Sequence, residues 1–413
     1  MGQVKQMWEE AMDRGFYVDE EIVVCPHCFE EESLQDFIRS RGGKSPCTYC
    51  GAVDEGTCML DELLDHAMDC IRTEWGDPRD EGLPYETREG GWQVAEVINT
   101  QELFERVDFY AVNEDLQKKI NTAVTKIDDE WCERSPYLLR KDQTLWYGWK
   151  EFSKFVMHEA RYVFLNATPE SYDDSRPDEI HPVKILEALA NLAEEIGLIG
   201  KIEPETSLYR VHIVDQIESL TSAKRLGSPP LDQALYSNRM SPAGISMFYG
   251  ALDLNTAILE TFDPCNGDRE KAAYGIFSPV RPLRVLDLAK IPDVPSIFDL
   301  ERHNIRPGIM FLHDFLKDFT KRISKDEKPH IEYVPTQVVT EYFRHIFRTA
   351  TGERLDGIMY PSSKQKNQTA VVIFANNDAC VELRDISMPN ALLVLRSCGN
   401  TDLVKTLQTT LIK

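Results

Sequence analysis

Apolar positions in the first two hundred residues recur mostly at the three- and four-residue spacing of helices. Val4, Met7, Trp8, Ala11 and Met12 predict a helix over residues 1–18, and Leu60, Leu63, Leu64, Ala67, Met68 and Ile71 mark one face of another over Met59 to Trp75. Residues 76–93 are polar, rich in glycine and proline, and read as loop. The helical pattern resumes from Thr100 to Leu198. Trp146, Trp149, Phe152, Phe155 and Val156 form an aromatic stripe better suited to a core than to a ligand cage. His181-Pro182 opens a helix whose Leu186, Leu189, Ala190, Ala193 and Ile196 face inward, and Gly197 and Gly200 end it.

Beyond Gly200 the texture changes. Short runs typical of strands appear at Leu208–Val214, Ile245–Tyr249, Ala273–Val280, Leu283–Leu286, Gly357–Tyr360 and Ala370–Phe374. Helices interleave, one capped by Asn255-Thr256 and carrying Ala257, Ile258 and Glu260. Another starts at Pro335-Thr336, with Val338, Val339, Tyr342, Phe343, Ile346 and Phe347 on one face. The pattern predicts a multidomain chain: a cysteine-bearing region with flanking helices over 1–75, a helical region over 76–199, and an α+β domain over 200–413.

At 413 residues and 42% hydrophobic content the chain is globular and long enough for more than one core. Its formal charge of −23 repels phosphate backbones, and no long basic run offsets it, so nucleic acid is disfavoured as a partner. No apolar run reaches membrane-spanning length, and no apolar segment of a secretory signal follows Met1. The myristoylation pattern fails at Gln6. Scattered cysteines alongside two close pairs suit a reducing cytoplasm with a metal site.

Those pairs are Cys25-Pro26-His27-Cys28 and Cys47-Thr48-Tyr49-Cys50, with 18 residues between them. Each CxxC turn presents two thiolates on one side of a knuckle, and two knuckles complete a tetrahedron around Zn²⁺. Four thiolates leave no open position, so the expected role is structural. A thioredoxin-like redox pair would need a βαβ context that is missing. His27 sits inside its knuckle and is expected to be exposed. Cys58, His66 and Cys70 could make a second cluster, although the four-residue spacing of the last two is common by chance on a helix.

The stretch from Ser207 to Glu260 gathers polar groups at strand edges and helix starts. Arg210 lies in Leu208-Tyr209-Arg210-Val211-His212, where alternation points it away from Tyr209 and Val211. Arg239 precedes Met240-Ser241-Pro242-Ala243-Gly244, a loop able to bring backbone donors to a phosphate. Tyr249 is followed by Gly250, and Ser362 follows Gly357-Ile358-Met359-Tyr360-Pro361. Each residue alone is more simply a solvated or packing side chain. Together, two arginines and a glutamate suit an anionic ligand carrying a positive centre.

The order Arg210, Arg239, Tyr249, Glu260, then Asp356-Gly357-Ile358-Met359-Tyr360-Pro361-Ser362-Ser363, resembles the RES domain over about residues 205–398. Val334-Pro335-Thr336-Gln337 and Ala370-Val371-Val372-Ile373-Phe374 belong to the same resemblance. The knuckles and helices before it resemble the N-terminal region of HEPN/RES proteins. The family implies an ADP-ribosyltransferase-like fold that consumes NAD⁺ as a hydrolase or phosphorylase, often as the toxin of a toxin–antitoxin pair or as a defence effector. On that basis Arg210, Glu260 and Ser362 are the expected catalytic residues, and Arg239, Tyr249 and Tyr209 the expected substrate contacts. An inhibitory or antitoxin protein and self-association are partners the family leaves open. The family pattern commonly carries Gly-Gly-Arg-Trp-Asn around its second arginine; here it reads Ser237-Asn238-Arg239-Met240-Ser241. Protein ADP-ribosyl transfer, and a non-catalytic zinc-stapled nucleotide-binding module, are the competing readings. An RNase reading through Arg176-x4-His181 is weakened by Pro177 and Pro182.

Overall fold

The computed structural model describes the chain except residues 1, 19–20, 54, 89, 126–128, 170–175, 177, 215–219, 263–270, 322, 324–327 and 404–413, and except the side chains of 2–7 and 402. Two compact units result. The first joins Met1–Arg140 to Val294–Pro307, and the second joins Lys141–Asp293 to Gly308–Lys413.

The first unit is helical, with helices at Gly2–Arg14, Glu32–Arg41, Leu60–Ile71, Thr100–Arg106 and Glu114–Thr125. Val4 and Met7 fall among the undescribed side chains. Ala11 of the same helix is buried, whereas Trp8 and Met12 are exposed. The apolar face of Leu60–Ile71 is buried as expected, against Leu34, Ile38, Phe104 and Phe109. Phe298 arrives from the returning segment, buried beside Phe109 at 5.4 Å between ring centroids. Its carbonyl accepts a bond from His66 Nε2 at 3.1 Å. The expected loop at 76–93 contains a small hairpin, Tyr85–Glu86 against Gly91–Trp92. Its tight reversal depends on Gly90 and Gly91, both at positive φ (91° and 129°).

The second unit carries one nine-stranded sheet. Its strands are β1 (Ile199–Ile202), β2 (Leu208–Val214), β3 (Phe248–Ala251), β4 (Lys271–Pro279), β5 (Leu283–Asp287), β6 (Gly357–Pro361), β7 (Thr369–Ile373), β8 (Cys380–Val381) and β9 (Leu393–Asp402). Their spatial order is β8-β9-β4-β2-β3-β7-β6-β5-β1. Five helices matter below: α1 (Lys141–His158), α2 (Lys184–Glu195), α3 (Leu254–Thr261), α4 (Arg306–Thr320) and α5 (Val334–Glu341).

The sheet forks. β4 pairs with β2 from Lys271↔Val214 to Phe277↔Leu208, and β7 pairs with β3 along all of β3. Between β2 and β3 the ladder holds only at Tyr209↔Ala251. The two halves then share a core: Leu208, Ala273, Phe277 and Leu395 from one side pack with Phe248, Val285, Val371 and Ile373 from the other. Elsewhere α1, α2, α4 and α5 cover one face of the β3–β1 half. Trp149, Phe152, Leu189 and Phe315 meet Leu286, Ile358 and Val372 there.

This packing explains a difference from the sequence reading. A domain boundary is expected near Gly200, but the compact units part at Arg140. The aromatic stripe of α1 and the aliphatic face of α2 bury against the sheet, so they join it. Gly197, at φ 77°, does end α2. Gly200 instead lies within β1, opposite Val285. Strand β9 is absent from the sequence reading, because Leu393–Asp402 ends in polar residues that hide its pairing with β4.

Candidate functional site

Helix α3 is capped by Asp253, whose carboxylate accepts the Thr256 amide at 2.9 Å. It ends at Thr261, placing Glu260 in the last turn. The β6–β7 connection begins with Ser362 and is closed by the Ser362 amide donating to the Gln368 carbonyl at 2.8 Å. Helix and loop are fastened together at three points. Ser362 Oγ donates to Glu260 Oε1 at 2.5 Å. Lys364 Nζ donates to the Phe262 carbonyl at 2.7 Å, and Thr256 Oγ1 to Gln365 Oε1 at 2.8 Å.

Ser362 Oγ also accepts the amides of Lys364 at 3.1 Å and Gln365 at 3.2 Å. Its proton and both lone pairs are therefore committed. A hydroxyl so held orients its carboxylate partner and is poorly suited to attack. Glu260 sits where a helix tolerates negative charge least, beside the unpaired carbonyls of its C-terminus. A carboxylate that stability alone would disfavour is a mark of a working site.

The expected arginine loop is an ordered turn. Asn238 and Ser241 exchange backbone hydrogen bonds of 2.8 and 3.3 Å, with Arg239 and Met240 between them. Helix α5 pins the turn: Gln337 Nε2 donates to Ser237 Oγ at 2.8 Å and to the Asn238 carbonyl at 2.7 Å, and Thr336 Oγ1 donates to the Arg239 carbonyl. Arg239 itself donates to the Lys321 carbonyl at 3.1 Å. Ser241 Oγ lies 2.8 Å from the Tyr249 hydroxyl, coupling the turn to β3. Burial raises the Tyr249 pKa to about 12, against the pull of Ser241, so the phenol stays neutral near pH 7. Tyr360 is buried nearby and is likewise pushed up by burial and then by the charge of Glu260, which also places Glu260 within its electrostatic reach.

Arg210 occupies the fork. Where the β2–β3 ladder stops, its Nη1 donates to the Tyr249 carbonyl at 2.8 Å, satisfying an acceptor that no strand now serves. Its guanidinium lies 5.5 Å from the centre of the Phe248 ring. Its Nε is enclosed without a hydrogen-bond partner. Burial lowers its pKa to about 10, which leaves it charged at neutral pH. His212, on the same face of β2, is held near 4 by burial and then by Arg210, and is neutral. Tyr209 points the other way, packing with Val211, Ala257 and Ile258 under α3. The structure thus brings together Glu260 and Ser362, and separately Arg239, Ser241 and Tyr249. Among the described residues no hydrogen bond or ion pair joins Arg210 to Glu260; Arg210 instead holds the carbonyl of Tyr249 at the fork.

The four knuckle cysteines converge in the first unit, with their sulfurs all within 4.8 Å of one another. Cys25 and Cys50 are 3.3 Å apart, Cys28 and Cys47 3.4 Å, and Cys25 and Cys28 3.7 Å. A tetrahedron of thiolates around a zinc-sized ion has an edge of about 3.8 Å. Burial opposes ionisation of Cys47, and the amides of Cys50 and Tyr49 more than offset it, bringing the thiol down to about 7. The site can hold a metal ion. His27 is exposed, and Cys58, His66 and Cys70 form no second metal-holding group among the described residues.

The model of the RES domain family matches residues 207–394, which hold strands β2 to β8 and every residue of the Glu260 and Arg239 clusters. The chain carries a RES domain. HEPN/RES N-terminal domain 1 matches residues 40–170, so the RES domain is preceded by the N-terminal region that accompanies it in that group. RES domains form an NAD⁺-related family of toxins and effectors. No curated protein matches the chain, and no solved structure does. No helix among the described residues is long and apolar enough to cross a membrane. Sequence reasoning missed the fastening residues Thr256, Lys364 and Gln365 of the RES domain, which look like ordinary solvated positions. The pinning role of Gln337 was visible only as part of the Val334-Pro335-Thr336-Gln337 resemblance.

Proposed function

We propose that the RES domain cleaves the bond between nicotinamide and ribose in NAD⁺. The observation that carries this reading is the 2.5 Å bond from Ser362 to Glu260, a carboxylate fixed in orientation at an unfavourable helix end. Nicotinamide is cationic in NAD⁺. It leaves with the bonding electron pair as a neutral molecule and needs no general acid. The barrier is the oxocarbenium charge that develops on the ribose, and a preorganised carboxylate lowers it electrostatically. Ser362 is a positioning residue in this scheme, not a nucleophile. Arg239 supplies positive charge for the pyrophosphate. Arg210 adds its buried charge from the fork while holding β3, and Tyr249 offers an aromatic surface. Tyr209, packed under α3, shapes the wall behind Glu260. Water or inorganic phosphate then takes the ribose C1, giving ADP-ribose or its phosphate.

Incubating the protein with NAD⁺, with and without phosphate, and identifying the products tests this. Nicotinamide release with free ADP-ribose or ADP-ribose phosphate is expected. Label transferred to protein would replace the reading with ADP-ribosyl transfer, and bound NAD⁺ without turnover would leave a nucleotide-binding module.

We read the four cysteines as ligands of structural Zn²⁺. Drainage of NAD⁺ would harm the host cell, so the reading assigns restraint to an inhibitory partner or to self-association, with the first unit as the segment that would receive such control. The Arg239 turn yields a prediction of its own. Gln337→Leu removes the two donors that pin the turn while keeping its volume. It should raise KM for NAD⁺ roughly tenfold, the effect of about 1.4 kcal/mol, with kcat less affected. Unchanged KM in steady-state assays would show that the pin is dispensable.

A further inference from the structure

Strand β6 has two ends, and only one carries Ser362. The other, six residues away at Asp356, lies about 20 Å off at strand rise. A cleft of about 570 Å³ opens there, lined by Arg281, Arg284, Arg344, Arg354 and His345. Four arginines in one cleft stand out in a chain of formal charge −23.

Two of the four are neutralised. Arg281 grips Asp356 with both terminal nitrogens, at 2.7 and 2.9 Å, and Arg284 pairs with Glu353 at 2.5 Å. Arg344 and Arg354 make no ion pair among the described residues. Arg344 is half-buried, extends from a π-helical turn over Tyr342–Ile346, and lies 5.8 Å from the centre of the Phe374 ring. Such turns widen a helix and recur at functional sites. Burial, followed by Arg344, Arg354 and Arg348, pushes the His345 imidazole below its usual value. A second lobe of about 340 Å³ continues past Arg281, Arg344 and Phe374 to the amides of Asn376 and Asn390 and the apolar wall of Ala391 and Leu392.

We propose that this cleft binds a nucleoside phosphate, its phosphates between Arg344 and Arg354 and its base in the asparagine lobe over Phe374. Unpaired guanidiniums in a partly desolvated cleft favour a phosphate oxyanion through charge-assisted, bidentate bonds. The combined volume is that of a small-ligand site. The negative surface elsewhere opposes an extended polyanion, so a nucleic-acid backbone is a poor occupant.

ADP, adenosine and pyrophosphate titrated calorimetrically into the intact protein test the proposal, alongside Arg344→Ala, Arg354→Ala and Arg239→Ala. The last variant removes the arginine assigned to the NAD⁺ cleft. ADP is expected to bind once at this cleft. Its affinity should fall tenfold or more in Arg344→Ala and Arg354→Ala and persist in Arg239→Ala; adenosine should bind at least tenfold more weakly than ADP, and pyrophosphate more weakly than ADP but by the same arginines. Arg354 is exposed, so its variant keeps the test valid should Arg344→Ala fail to fold. Absence of ADP binding, binding indifferent to Arg354, binding lost only in Arg239→Ala, or equal binding of adenosine would overturn the proposal. None of these outcomes depends on whether NAD⁺ is cleaved.

Discussion

Glu260→Gln should lower the rate of NAD⁺ consumption by about a hundred- to a thousandfold, the usual loss of roughly 3–4 kcal/mol when one preorganised electrostatic contact is removed. The same substitution should leave the melting temperature unchanged or slightly raise it. Glutamine preserves the side-chain shape and can still accept the Ser362 hydroxyl proton, so the fastening of α3 to the β6–β7 loop survives. What disappears is the negative charge in the last turn of α3, where the helix dipole opposes it by about 0.3–1 kcal/mol. Activity and stability therefore move in different directions, which a merely structural glutamate would not produce. Ser362→Ala should cost less activity, because that hydroxyl acts through Glu260. The double variant should lose little more than Glu260→Gln alone, since the two residues form one unit. Wild-type NAD⁺ loss in Glu260→Gln would remove the basis for the whole assignment.

The second large effect concerns the knuckles. Metal analysis should find one zinc per chain, and Cys47→Ser or strong chelation should abolish it together with cooperative melting of the first unit. Structural zinc contributes apparent binding energies of about 10–16 kcal/mol to small domains, comparable to the entire stability of a domain of that size. Here the ligands are not peripheral. Cys25, Cys28 and Cys47 are buried in the same cluster as Leu34, Ile38, Leu60 and Leu64. Without the ion, these three buried thiols and the exposed Cys50 would crowd one another at the edge of that core. A protein purified without metal, or an unchanged melt in Cys47→Ser, would return these residues to the status of ordinary thiols.

Much of the second unit was legible because its strands carry strong local signals. Leu208–Val214 is a strand with the bounds its alternation predicts, and Leu283–Asp287, Gly357–Pro361 and Thr369–Ile373 lie within a residue or so of their predicted runs. The alternation that turns Arg210 away from Tyr209 and Val211 is present in the packing. What stayed hidden was non-local. β1 is short and carries Gly200, so nothing in its composition announces an edge strand. The fork between β2 and β3 leaves no trace in either strand, since it consists of hydrogen bonds that are not made. For the same reason the bond from Arg210 to the Tyr249 carbonyl could not be anticipated. The four-cysteine cluster is the opposite case: ligand spacing alone specified which sulfurs would meet.

The first unit is completed by Val294–Pro307, and Phe298 of that segment lies buried against Phe109 with its carbonyl bound by His66. On the ribosome this has a consequence for timing. The residues of the first unit up to Arg140 emerge early, yet its core cannot close until a further 150 or so residues of the sheet-bearing unit have been made and Phe298 follows them out. A nascent chain stopped before residue 294 would hold the knuckles and helices with an aromatic slot left open. Strands β6 and β7, which flank the proposed site, come later still. Vectorial synthesis therefore assembles the N-terminal unit before the chain acquires Ser362, so any restraint that acts through that unit would be in place before the activity it restrains.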